Sequence, residues 1–188
     1  MSHNRKLANA ELNRPDLNTY KMQEKTPLII VLDNIRSLNN IGSIFRSADA
    51  FAVEEVLLCG ITAQPPHREI NKTALGATES VKWQYFKTTK EAINYLKESS
   101  YAVFAIEQAV KSTPLNELKL KGNQKIALIF GHEVKGVNQD IVDLADEVVE
   151  IPQKGTKHSL NVAVSAGLVI WEISNKIQFK KNGTNFEN

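Results

Sequence analysis

An α/β fold with a mostly parallel sheet flanked by helices is predicted from three features of the sequence. Apolar runs of strand length alternate with segments whose apolar residues recur at helical spacing. Glycines, Pro152 and polar residues gather after Ile106, Phe130 and Ile151, where open parallel sheets place their ligands. With 188 residues and 42 % hydrophobic content, the chain is long and apolar enough for one core.

The elements follow in order. A first strand is read at residues 28–32, an unbroken apolar run. The helix at 40–52 has Asn40 as a possible cap. Its spacing puts Ile41, Ile44, Phe45 and Ala48 on one buried face and turns Arg46 away. The strand at 55–59 ends in Cys59, the sole cysteine, expected buried and reduced. Residues 64–77 read either as a surface loop entering a short helix or as a place where Arg68 and Lys72 meet a substrate backbone. A helix at 89–98 and strands at 101–106 and 125–130 come next. A glycine-framed turn carrying Glu133 follows, where Gly131 and Gly136 permit φ > 0 or close backbone approach. A helix at 138–143, a strand at 147–151 and an apolar helix at 159–176 complete the domain. Ser159 is read as the cap of that last helix, a role serine favours, with Asn161 in its first turn.

Charge divides the chain. The net charge is +2, yet residues 1–25 and 176–188 each carry +2 and leave −2 for the middle. The expected organisation is a basic N-terminal extension at 1–25, one domain at 26–175 and a basic tail at 176–188. Such tails are usually solvated, and basic ones would add sequence-independent contacts to a phosphate backbone if they lay beside one. No apolar run reaches membrane length and the first residues lack a signal core, so a cytoplasmic protein is expected.

Several chemistries lose support. His132-Glu133 opens like a zinc-protease motif, but Gly136 stands where the second histidine belongs, and no metal is expected. Ala163-Val-Ser165-Ala-Gly167 lacks the first glycine of a hydrolase elbow. Neither a phosphate-cradling lysine loop nor G-x-G-x-x-G occurs.

Three patterns remain, in this order: Asn40-x-Gly42-x-x-x-Arg46, Gly131-x-Glu133-x-x-Gly136, and Ile151-Pro152-x-x-Gly155-x-x-x-Ser159-x-Asn161. Over residues 27–174 they resemble the motifs of the SpoU/TrmH branch of the SPOUT RNA methyltransferases. Val134 departs from the glycine many relatives carry after the glutamate and leaves the turn glycines in place. The resemblance implies a C-terminal deep trefoil knot that binds S-adenosyl-L-methionine. Ile106, Glu107, Gly131, Ile151, Gly155, Ser159 and Leu160 would hold the cofactor. Arg46, Asn40, Glu133, Ser159 and Asn161 would form the catalytic set, and Arg46, Arg68 and Lys72 would meet RNA. It further implies 2′-O-ribose methylation of tRNA (a D-loop guanosine first) or of rRNA, and a homodimer in which Arg46 completes the partner's site. Arginine keeps its proton far above neutral pH, which favours an electrostatic role and leaves proton acceptance open. The alternative is an RNA-binding module of this fold without catalysis, which would not need all five residues.

Overall fold

The computed structural model describes residues 4–181. After a short 3₁₀ turn at Asn9–Leu12, the chain forms α1 (Leu17–Met22), β1 (Thr26–Asp33), α2 (Leu38–Ala50) and β2 (Val53–Cys59). It continues through α3 (Arg68–Ala74), α4 (Ala77–Ser80), β3 (Lys82–Phe86), α5 (Thr89–Glu98) and β4 (Tyr101–Ile106). The last elements are β5 (Thr113–Pro114), β6 (Lys125–Phe130), α6 (Gln139–Leu144), β7 (Glu147–Glu150) and α7 (Val162–Lys181). The α/β reading holds: seven strands form one sheet in the order β3-β2-β1-β6-β4-β7-β5, and every pairing is parallel.

Strand β1 shows why its sequence is apolar without alternation. Leu28, Ile30 and Leu32 pack with residues of α2, α3 and α7 on one face, while Ile29 and Val31 pack with α5 and α6 on the other. Parallel sheets are covered on both faces, so their central strands are apolar throughout. Each such side chain contributes about 1.5–3 kcal/mol on burial. Strand β6 enters between β1 and β4 although β4 precedes it in the chain, which brings the turn after β6 to the middle of the sheet edge.

Some expectations are corrected. Strand β3 was not foreseen because it is an edge strand, largely half-exposed, with no apolar run to mark it. Two-residue β5 was likewise too short to show a pattern. Helix α2 is capped by Ser37, whose hydroxyl accepts the Asn40 N–H at 3.3 Å, and Asn40 lies inside its first turn. Helix α7 begins at Val162 behind Asn161, which accepts the N–H groups of Ala163 and Val164 at 2.9 and 3.3 Å, so Ser159 is not its cap. The N-terminal extension is partly packed. Tyr20 of α1 is buried and donates its hydroxyl to the Asp49 carbonyl at 3.0 Å, and the Lys25 ammonium sits 3.3 Å over its ring. Helix α7 runs on into the expected C-terminal tail, of which residues 182–188 lie outside the described residues.

Cys59 is buried and unpaired, and burial pushes its thiol up to about 12, which leaves it inert at neutral pH. Among the described residues, no helix is long and apolar enough to cross a membrane.

Candidate active site

A cleft of about 460 Å³ opens at the carboxyl ends of β4, β6 and β7. Its floor depends on two glycines. A Cβ on Gly131 would overlap the backbone of Gly136 and Val137, and a Cβ on Gly136, whose φ is +66°, would overlap the Glu107 carboxylate. Gly131 is thus held by close backbone-to-backbone packing inside the turn. The turn is closed by the Gly136 N–H on the His132 carbonyl at 2.8 Å. The His132 ring adds a second fastening, since Nδ1 accepts the N–H groups of Val134 and Lys135 at 3.0 and 3.3 Å.

From this turn Glu133 reaches the start of α2. Its carboxylate accepts the N–H groups of Arg36 and Ser37 at 3.1 and 2.9 Å and the Asn40 amide at 3.1 Å. Asn40 in turn accepts the Asn161 amide at 3.2 Å, and Asn161 caps α7. One residue from each of the three patterns thus joins a single network, although they lie 93 and 121 residues apart in sequence. A carboxylate at a helix N-terminus also meets the positive end of the helix dipole. Burial works to raise the Glu133 carboxyl, but the N–H groups of Arg36 and Ser37, with the Asn40 amide, outweigh it and hold it below the usual carboxylate range. The stability this lends is present above the ordinary glutamate pKa and is lost as pH falls through the lowered one.

The remaining expected site residues fall in different places. Ile106, Glu107, Gly131, Ile151, Ser159 and Leu160 line the cleft, as do Glu133 and Glu150. Gly155 does not: it sits on an exposed loop, where an added Cβ would meet open space. Arg46 lies outside the cleft in a second depression with Ser43, Ser47, Lys72 and Thr73, and its side chain makes no hydrogen bond or ion pair among the described residues. Lys72 is paired with Glu69 at 2.8 Å, and Arg68 is exposed at the start of α3. Sequence reasoning missed Ser37, Gln108 and His132. The first was legible as a hydroxyl three residues before Asn40 at the head of an apolar helix, while the other two act through partners remote in sequence or inside a turn.

The sequence model of the SpoU rRNA Methylase family matches residues 27–171. An uncharacterized tRNA/rRNA methyltransferase of Borreliella burgdorferi is 32 % identical over 86 % of this chain and 69 % of its own. The tRNA (guanosine(18)-2′-O)-methyltransferase of Thermus thermophilus is 29 % identical over 86 % of this chain and 81 % of its own. Five relatives named as 23S rRNA guanosine-2′-O-methyltransferases have 62–66 % of their length spanned by the chain. Among solved structures, the TrmH/SpoU tRNA modifying enzyme of A. aeolicus superposes with a TM-score of 0.76 at 22 % identity, over 89 % of this chain and 82 % of that one.

Proposed function

Because the chain belongs to the SpoU rRNA methylase family, we propose that it transfers a methyl group from S-adenosylmethionine to a ribose 2′-hydroxyl of RNA. The first substrate is a guanosine in the tRNA D-loop, and rRNA is second. Both are supported by relatives at equal distance, a tRNA guanosine-2′-O-methyltransferase at 29 % identity and rRNA guanosine-2′-O-methyltransferases at 28–29 %. The observation that carries the reading is the network joining Asn40, Glu133 and Asn161 beside the cleft.

The cleft fits the cofactor in size and chemistry. A volume of about 460 Å³ lies in the range of small-molecule sites, with apolar Ile106, Ile151 and Leu160 at its wall. Glu150 borders it with a carboxylate that suits a cationic ligand. When bound, the cofactor supplies a methyl group carried on a positively charged sulfur. Asn40, Glu133 and Asn161 hold the starts of α2 and α7 together at the cleft and so fix Ser159 and Leu160 beside it. Arg46 holds the RNA phosphate and stabilises the negative charge that develops on the ribose oxygen. The late entry of β6 between β1 and β4 is in keeping with the trefoil knot of the family, which is part of the proposal.

The acting form is a homodimer. Helix α7 buries Ala166, Val169, Ile170 and Ile173 inward, yet also exposes Val164, Leu168 and Trp171, with Leu160 just before them. Such a stripe at helical spacing suits a second copy of the same helix. Because Arg46 lies outside its own cleft, the second copy also supplies that cleft with its arginine. The test mixes Arg46→Ala with Asn161→Ser, which keeps a capping hydroxyl, and follows labelled methyl transfer from S-adenosylmethionine to RNA. Each variant alone should be near background. Half the dimers in the mixture are mixed and one of their two sites is whole, so roughly a quarter of wild-type activity should return. No recovery despite subunit exchange would place the whole site within one chain.

A further inference from the structure

We infer that Glu107 and Gln108 form a two-sided brace that sets the spacing of the loops lining the cleft and so positions them for the cofactor. These neighbours follow directly on β4 and lie outside all three sequence patterns. Glu107 Oε2 accepts the Val137 N–H at 2.8 Å, and its Oε1 accepts the Gln108 N–H at 2.9 Å. Gln108 Nε2 donates to the His158 carbonyl at 2.7 Å. One residue thus holds the turn after β6, and the next holds the loop between β7 and α7. Both loops line the cleft.

Packing supports the same assignment independently of the hydrogen bonds. Gly131 accepts no Cβ because of the Gly136 backbone, and at Gly136, whose φ is +66°, a Cβ would be strained and would push on the end of the Glu107 carboxylate. Strand end, turn and carboxylate are therefore stacked without slack. The sequence pattern accounts for the two glycines, and Glu107 is the third layer on which they rest. Glu107, expected as a cofactor contact, lines the cleft with each of its oxygens engaged by a backbone N–H. It is a positioning residue, and so is Gln108. Hydrogen bonds to a charged group are about twice as strong as neutral ones, which suits a carboxylate to the turn that must not yield.

The inference rests on the proposed cofactor reading in taking S-adenosylmethionine as the ligand of the cleft. The experiment compares Glu107→Ala, Glu107→Gln and Gln108→Ala by two readouts: backbone hydrogen exchange of the ligand-free protein, and calorimetric affinity for S-adenosylmethionine. Glu107→Ala should speed exchange at residues 131–137, and Gln108→Ala at 155–160, with the rest of the sheet unchanged. Each should weaken binding on the order of 10-fold, as loss of a charged or well-placed hydrogen bond does. Glu107→Gln keeps an acceptor oxygen and should regain most of the affinity. The brace is overturned if affinity falls while exchange at 131–137 stays slow, because Glu107 would then touch the ligand itself. It is equally overturned if neither readout moves, or if exchange rises throughout the chain. Gln108 is exposed, so its variant folds even where Glu107→Ala does not, and it alone decides the second loop. Wild-type protein that fails to bind S-adenosylmethionine would sink the cofactor reading, with the exchange data still deciding the brace.

Discussion

Replacing Arg46 by alanine is expected to lower the rate of methyl transfer on the order of 10²-fold or more, the loss seen when one donor to a developing oxyanion is removed. The reason is its position. Arg46 is turned away from the core, is unpaired among the described residues and lines a depression with Lys72 rather than the cleft. A guanidinium kept free of protein partners is available to a phosphate and a ribose oxygen. Affinity for S-adenosylmethionine should change little, because Arg46 does not line its cleft. Single-turnover rates and calorimetry on the same preparation check both halves. A variant that loses cofactor affinity and keeps its rate at saturation would move Arg46 into the cofactor site.

Gly131→Ala should be the most damaging small change in the cleft. The added methyl would overlap backbone atoms of Gly136 and Val137, which cannot swing aside as a side-chain end can. Overpacking of this kind costs about 1–3 kcal/mol, and relief by displacing the turn would disturb Glu133 and the Val137 N–H at once. Denaturant unfolding should show that loss, and cofactor binding should weaken with it. Gly155→Ala is the control, since its Cβ would stand in open space. It should stay within about 0.5 kcal/mol of wild type, as exposed substitutions away from special features do. Equal effects at the two positions would contradict the packing described for the turn.

Much of this was legible because burial writes itself into sequence. β1 reads as a strand by its unbroken apolar run, and α2 by Ile41, Ile44, Phe45 and Ala48, all of which are buried. The positions of polar groups were less legible, since a cap depends on one residue of register. Asn40 and Ser159 were both suitable capping types, yet Ser37 and Asn161 take the roles, which frees Asn40 to bridge Glu133 and Asn161. Edge strand β3 left no apolar signature because water covers much of it. Nor could Glu107 be read as a brace, because its partner lies 30 residues further along in a turn whose geometry no local pattern records.

The proposed reaction places a methyl group on a ribose 2′-hydroxyl. Mapping 2′-O-methyl marks on RNA from cells lacking the gene, before and after incubation with purified protein and S-adenosylmethionine, tests it most directly. One nucleotide, first of all a tRNA D-loop guanosine, should gain resistance to alkaline cleavage, and Arg46→Ala protein should not confer it. Wild-type protein that binds this RNA and the cofactor while leaving every ribose unmodified would rule out the methyl transfer and make the chain a binding module of the same fold.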